Sequence, residues 1–262
     1  MPGPGSAPTV LVTRPAGQAD SLCGRLEAAG FAVVRQPLLA LEPFAGLPAA
    51  QRRLVQELDR FQHCIFISSN AVRFGLELLQ RAWPRWPAGV ACYAVGDSTA
   101  AALRDAGLSV RTPGADMTSE GLLALPALCA VTGQRVLIVK GEGGRQALRE
   151  TLGSRGAEVE ELACYRRVAP AVDGAALAER LQHDAVRLIL ISSGEALANL
   201  TALLKPRETH KLADITLVVP SARVAEDAVS AGWQQPVVAA NAADDAMLAA
   251  AQRWRSALGE SE

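Results

Sequence analysis

The sequence predicts an α/β protein made of two small flavodoxin-like domains, each with a doubly wound parallel sheet. Short apolar runs rich in β-branched residues alternate with amphipathic segments of helical length, which is typical of right-handed βαβ units. The 262 residues suit two domains at roughly 150 residues each. Two blocks of the chain also occur twice, as expected where one domain resembles the other.

The first repeated block predicts a strand, a helix and a second strand. Val10–Leu39 matches Val136–Tyr165 without a gap, at an offset of 126. The matched positions include Gly17 with Gly143, Leu22 with Leu148, Leu26 with Leu152 and Gly30 with Gly156. The leucines follow helical spacing and the later glycine ends the helix, so each copy returns to a further strand.

The second repeated block predicts two further pairs of strand and helix. Cys64–Leu79 matches Leu188–Leu203 at an offset of 124, which aligns Ser68 with Ser192. Val90–Leu108 then faces Thr216–Trp233. The blocks alternate along the chain, and the residues leave two arrangements open. One is a simple tandem of halves, and the other is an exchange in which the first block of one half completes the second block of the other.

The composition excludes several classes of partner and cofactor. A net charge of −1 and a pI near 6.3 argue against nucleic acid and anionic membranes as partners. The longest stretch without a charged residue, Ala228–Ala243, is shorter than a membrane span. Five scattered cysteines and three scattered histidines predict reduced thiols and no metal site. No signal or transit pattern is present at the N-terminus, so a cytoplasmic location is expected.

Polar turns at the predicted carboxyl ends of the strands are the candidate ligand contacts. Ligands of parallel sheets bind there, where free N–H groups and the positive end of the next helix suit carboxylates and phosphates. Any one of these serines or threonines is ordinarily only a helix cap, but six such turns predict a polyanionic small molecule. The candidate contacts are Thr13, Arg14, Ser68, Ser69, Asn70, Ser98, Thr99, Lys140, Gly141, Arg145, Ser192, Ser193 and Ser221.

Motifs for nucleotide binding and for nucleophilic catalysis are incomplete. Gly141 and Gly143 begin a dinucleotide-binding pattern, but Gln146 stands where its third glycine belongs. No Gly-x-Ser-x-Gly elbow occurs. Of the two tyrosines, Tyr93 lies in an apolar run and is expected in the core, whereas Tyr165 is expected to end a strand beside two arginines. On the residues alone, a structural role is favoured for Tyr165 as well.

Six motifs, in order, resemble uroporphyrinogen-III synthases over nearly the whole chain. They are VLVTRPAGQADSLCGRLEAAG, IFISSNAV, YAVGDSTAAALRDAG, KGEGGR, ACYRR and ILISSGEAL. The resemblance implies two α/β domains joined by a two-stranded linker, with the active-site cleft between them. It thereby selects the exchange, with residues 1–38 and 167–262 forming domain 1 and residues 39–166 forming domain 2.

The resemblance also implies an activity. The family comprises cofactor-free lyases of tetrapyrrole (heme) biosynthesis that cyclise hydroxymethylbilane to uroporphyrinogen III, with inversion of ring D and loss of water. It implies a small-molecule substrate with eight carboxylates, no metal and a monomer. Tyr165 matches the family tyrosine proposed to assist departure of the hydroxyl, although Arg167 stands where many relatives have threonine. The alternative function is a two-domain protein that binds an anionic metabolite without chemistry.

Overall fold

The structure is a computed structural model, and it describes residues 7–114, 116–144, 146–204, 212 and 214–259. The chain divides into two compact units. Unit 1 comprises Met1–Ala40 with Val168–Glu262, and unit 2 comprises Leu41–Arg167. Each unit is built on its own sheet, and each sheet combines one copy of the first repeated block with one copy of the second.

Unit 1 has a parallel sheet in the order β11-β10-β9-β1-β2, as far as its residues are described. This is the 2-1-3-4-5 order of flavodoxin-like folds when the strands are counted within the unit. Its elements, in chain order, are β1 (Thr9–Val12), α1 (Asp20–Ala28), β2 (Ala32–Arg35), α8 (Gly174–His183), β9 (Val186–Leu190), α9 (Gly194–Leu203), β10 (Thr216–Val219), α10 (Ala222–Ser230), β11 (Val237–Val238) and α11 (Asp244–Gly259).

Unit 2 has a sheet in the order β3-β8-β7-β4-β5-β6, and its pairings from β8 to β6 are parallel. Its elements, in chain order, are β3 (Ala40–Pro43), α2 (Ala49–Gln56), a 3-10 turn (Leu58–Arg60), β4 (His63–Phe66), α3 (Ser69–Ala82), β5 (Ala91–Ala94), α4 (Asp97–Asp105), β6 (Val110–Arg111), α5 (Ser119–Leu123), α6 (Pro126–Cys129), β7 (Arg135–Gly141), α7 (Ala147–Ser154) and β8 (Glu158–Val168). The predicted α/β class with parallel sheets is therefore confirmed.

The central strands of each sheet are buried on both faces, which explains their uninterrupted apolar sequences. In β4, Cys64 and Phe66 belong to one core and Ile65 belongs to the core on the opposite face. In β1, Val10 and Leu11 divide between two cores in the same way. Parallel strands covered by helices on both sides lose the alternation of polar and apolar residues that marks a half-exposed strand. Among the described residues, no helix has the length and apolar character needed to span a membrane.

Strand register tests the two repeats residue by residue. Thr9 pairs with Ala32, and Arg135 pairs with Glu158, so the offset of 126 holds for both strands of the first block. Gly30 and Gly156 also share a left-handed backbone, with φ of 82° and 84°, which glycine adopts without steric cost.

The predicted offset of the second block is wrong by one residue. Val10 pairs with Leu188, and its equivalent Val136 pairs with His63, so Leu188 corresponds to His63 and the offset is 125. Each copy contains two adjacent serines, so a shift of one residue still aligned serine with serine.

Candidate functional site

The serines at the strand ends act as helix caps. The Oγ atoms of Ser68 and Ser193 accept hydrogen bonds from backbone N–H groups three residues later, at 3.0 and 3.1 Å, and Ser221 does the same at 3.4 Å. Ser68 is thus the counterpart of Ser193 rather than of Ser192. Because these hydroxyls are already engaged, what remains to receive an anion is the other N–H groups in the first turns of α3, α9 and α10.

Two threonines predicted as ligand contacts are buried instead. Thr13 is 1% exposed, and its Oγ1 donates to the Leu190 carbonyl at 2.7 Å, which joins the ends of β1 and β9. Thr99 is 3% exposed on the inner face of α4. Ser98, beside it, is exposed in the first turn of that helix, as is Ser69 in α3. The structure therefore corrects the prediction for Thr13 and Thr99 and leaves Ser98 and Ser69 accessible.

Arg14 is engaged with groups from the C-terminal part of unit 1. It forms an ion pair with Asp244, and it donates to the Ala242 carbonyl at 2.7 Å. Burial alone would raise the pKa of Asp244, but hydrogen bonds from Ser21 and Arg14 outweigh it and lower that pKa. The ion pair holds the first turn of α11 against the end of β1. Arg14 also lies 3.4 Å from the Ser192 hydroxyl, so two of the predicted contacts meet here.

Lys140 is a buried partner in an ion pair rather than an open anion contact. The residue is 4% exposed, and its Nζ lies 2.9 Å from one carboxylate oxygen of Glu161, whereas Arg149 lies 3.5 Å from the other oxygen. The pair borders a cavity of about 330 Å³ whose other lining includes Ile67 and Leu148. Gly141 follows at the end of β7. The predicted contact Arg145 lies outside the described residues, and Asn70 is half-buried in the first turn of α3.

Tyr165 lies within β8 rather than at its end, because the strand continues to Val168. Its side chain is 2% exposed and packs in the core of unit 2, with its ring centroid 5.1 Å from that of Phe74. No described residue forms a hydrogen bond with the Tyr165 hydroxyl. Among the described residues, every fully buried side-chain oxygen has a hydrogen-bond partner, so the Tyr165 hydroxyl is not fully buried. The prediction that Tyr165 ends its strand is therefore wrong, whereas its packing in the core agrees with the structural role that the residues alone favoured.

A register shift in β8 orients the tyrosine. Lys140 pairs with Ala163, but Gly141 pairs with Tyr165, so Cys164 is an extra residue in the strand. Sequence reasoning missed this bulge, although a signal was present: Leu162 and Cys164 alternate toward the core, and the aromatic Tyr165 directly after them breaks the alternation. Phe74 was missed too, since nothing in the sequence connects it with a strand some ninety residues away.

The described residues contain no cluster of three or more histidine, cysteine, aspartate or glutamate side chains arranged to hold a metal ion. The features described above for unit 2 are the helix cap at Ser68, the Lys140–Glu161 pair and the Tyr165 region.

Comparisons with known proteins agree with one another. A family model described as uroporphyrinogen-III synthase HemD matches residues 20–249. Uroporphyrinogen-III synthase from Salmonella typhimurium is 39% identical over 93% of this chain and 100% of its own, and the Escherichia coli protein of that name is 37% identical over the same shares.

Solved structures share the fold at low identity. The uroporphyrinogen-III synthetase of Helicobacter pylori has a TM-score of 0.59 at 14% identity, covering 95% of this chain and 99% of its own. A mutant uroporphyrinogen III synthase from Thermus thermophilus has a TM-score of 0.55 at 19% identity, covering 97% and 100%. By the match of the family model and the full-length relatives, the chain belongs to the uroporphyrinogen-III synthase family.

Proposed function

We propose that this chain is a lyase that cyclises hydroxymethylbilane to uroporphyrinogen III, with loss of water and inversion of ring D. The observation that carries the proposal is the 39% identity to the Salmonella typhimurium relative, which extends over that protein's whole length. The proposal includes a monomer acting in the cytoplasm on a small-molecule substrate. It also assigns residues 1–38 with 167–262 to one domain and residues 39–166 to the other.

The reaction depends more on the positioning of the substrate than on a strong acid group in the protein. Loss of the hydroxymethyl hydroxyl leaves an azafulvene cation that the pyrrole nitrogens stabilise. Attack by the substituted carbon of ring D gives a spiro-pyrrolenine, which fragments and closes again with that ring inverted. The protein must hold a conformer in which this attack is faster than direct ring closure, and such orientation lowers a barrier without strong acid or base groups.

Helix N-termini in each unit are proposed to bind the substrate's carboxylates. The first turns of α3 and α4 in unit 2 and of α9 and α10 in unit 1 follow strand ends, and each leaves backbone N–H groups without a helical partner. The caps formed by Ser68, Ser193 and Ser221 fix the backbone that carries these donors. Eight carboxylates require several such sites, which is consistent with the number of these turns.

Tyr165 is proposed to assist the departing hydroxyl. A phenol is ordinarily protonated at neutral pH, so it can donate a proton or a hydrogen bond to the leaving oxygen. The absence of any described hydrogen bond to the Tyr165 hydroxyl supports this role, because the group is not engaged elsewhere in the described part of the chain. Its 2% exposure restricts the contact to the hydroxyl end of the ring.

Incubation of the purified protein with freshly prepared hydroxymethylbilane tests the proposal. The porphyrin isomers are separated after oxidation and compared with a reaction in buffer, where spontaneous closure gives isomer I. We expect mainly isomer III from the protein alone. Tight binding of the substrate with isomer I as the product would instead support the alternative of a binding protein without chemistry.

A further inference from the structure

Gly141 leaves the space that the Tyr165 ring occupies. A Cβ atom at position 141 would lie 2.6 Å from Cζ, 2.8 Å from Cε2 and 3.0 Å from the hydroxyl oxygen of Tyr165. Real Cβ atoms do not approach other heavy atoms below about 3.0 Å, so any other residue here displaces the ring. Gly141 is not among the residues with a left-handed backbone, so its lack of a side chain serves space rather than conformation.

The bulge at Cys164 turns Tyr165 toward Gly141. In a regular strand, consecutive side chains point to opposite faces. Here Cys164 and Tyr165 are adjacent, yet both are at most 2% exposed and both pack in the same core. The Cys164 Sγ lies 3.1 Å from the Lys140 carbonyl, which fills the gap that the extra residue makes in the ladder. Bulges of this kind re-aim side chains near functional sites.

The backbone on both sides of the bulge is held in place. The Gln51 side chain accepts from the Ala163 N–H and donates to the Glu161 carbonyl, each at 3.0 Å, in the manner of a neighbouring strand. The Glu142 N–H donates to the Tyr165 carbonyl at 2.8 Å. With Phe74 against its ring, Tyr165 has little freedom to adjust to a larger residue at position 141.

We infer that Gly141 is a positioning residue for the reaction: its missing side chain, together with the bulge at Cys164, sets the location of the Tyr165 hydroxyl. This inference rests on the proposed function. A Cβ at position 141 must move the ring by at least a few tenths of an ångström. Displacements approaching 1 Å cost about 10²-fold in rate, so we expect Gly141→Ala to lower kcat by roughly 10-fold, with a smaller change in KM.

A double-mutant cycle tests whether Gly141 acts through the phenol. The variants are Gly141→Ala, Tyr165→Phe and the double variant, with Gly153→Ala as the matched control. Gly153 lies exposed in α7, where a Cβ meets nothing within 4 Å. We expect the loss in kcat from Gly141→Ala to vanish in the Tyr165→Phe background, because the hydroxyl that it displaces is absent there. An equal loss in both backgrounds would overturn the inference.

Fluorine NMR gives a readout that does not depend on activity. The chain has two tyrosines, so protein grown with 3-fluorotyrosine gives two signals, and Tyr165→Phe identifies one of them. Gly141→Ala should move the Tyr165 signal and leave the Tyr93 signal unchanged, whereas Gly153→Ala should move neither. An unmoved Tyr165 signal in Gly141→Ala would contradict the inference.

Two further outcomes separate this inference from the proposed function. A wild-type protein that forms no isomer III refutes both. A wild-type protein that forms isomer III, with Tyr165→Phe equally active, refutes the positioning role of Gly141 and the proposed role of the phenol, but not the proposed reaction. If Gly141→Ala does not fold, Phe74→Leu takes its place, because it releases the Tyr165 ring from its other neighbour. We then expect Phe74→Leu to lower kcat when Tyr165 is present and to have no effect on kcat in the Tyr165→Phe protein.

Discussion

Replacing each tyrosine by phenylalanine separates chemistry from packing in this chain. The Tyr93 hydroxyl lies 3.0 Å from Nδ1 of His63, and it accepts a hydrogen bond from Arg111 at 3.3 Å. The other ring nitrogen of His63 lies 2.5 Å from the Gln134 side-chain oxygen. With the Nε2–H of His63 donating to Gln134 and Nδ1 accepting from Tyr93, every member of this network has a partner. The Tyr165 hydroxyl has no comparable partner among the described residues.

The structure predicts a large loss of stability for Tyr93→Phe and a small one for Tyr165→Phe. Tyr93→Phe leaves His63 Nδ1 without a donor in a buried site, which costs about 1–3 kcal/mol of unfolding free energy. At about 2–4 °C per kcal/mol, the thermal midpoint should fall by several degrees. Tyr165→Phe keeps the packing against Phe74 and loses no described hydrogen bond, so its stability should change by less than about 0.5 kcal/mol.

The effects on turnover should be reversed. General acid assistance contributes about 10²- to 10⁴-fold, and the substrate's own nitrogens supply much of the push, so Tyr165→Phe should lower kcat by about 10²-fold. Tyr93→Phe, assayed well below its midpoint, should keep the wild-type kcat. The slowed Tyr165→Phe protein should still form mostly isomer III, because binding of the substrate rather than the phenol enforces the spiro route.

Turnover, thermal midpoint and isomer ratio, measured on the same samples, distinguish a catalytic from a structural role for each tyrosine. A Tyr165→Phe protein with full activity would remove the phenol from the mechanism. A large fall in its midpoint, with activity lost in proportion, would return Tyr165 to a structural role. A Tyr93→Phe protein as stable as the wild type would show that the hydrogen-bond network described for His63 is wrong.

Three further predictions follow from caps, thiols and an ion pair. Ser68→Ala should lower the unfolding free energy by about 0.5–2 kcal/mol in urea titrations because the cap to Ala71 is lost, whereas Ser69→Ala, which removes no described cap, should change it little. Ellman's reagent should titrate one thiol of the native chain, that of exposed Cys129, and five after denaturation, because burial raises the pKa of the other four; more than one fast-reacting thiol would contradict the buried positions. The lowered pKa of Asp244 contributes stability that is present above pH 4 and lost as the pH falls below it. In urea titrations at decreasing pH, the unfolding free energy of Asp244→Asn should therefore fall less steeply than that of the wild type. An equally steep fall for both proteins would refute this prediction.

The fold class was predictable because a parallel sheet covered on both faces has a plain signature. Its strands are uninterrupted apolar runs, and the helix between two strands ends at a glycine such as Gly30 or Gly156, where the backbone becomes left-handed. The register of the second block was not predictable, because adjacent serines align equally well in two ways. Only the pairing of the strands and the cap at Ser193 distinguish Ser192 from its neighbour.

The candidate site was less predictable because its residues depend on distant partners. The Thr13 hydroxyl could contact a ligand by its chemistry, but it donates to the carbonyl of Leu190, which lies far along the chain. Arg14 is paired with Asp244 in the last helix, and local sequence cannot reveal such a pair. Tyr165 is buried because one extra residue in β8 redirects it. The break in alternation after Cys164 is only a weak sign of a bulge, and the pairing with β7 is what establishes it.

The isomer composition at increasing protein concentration tests the central claim most directly. Hydroxymethylbilane closes spontaneously to isomer I, so the enzyme must compete with that reaction. We expect the fraction of isomer III to rise with protein concentration toward completeness, without any added cofactor. A product that stays isomer I at all concentrations of folded protein, with substrate shown to be intact by a known synthase, would contradict the assigned function.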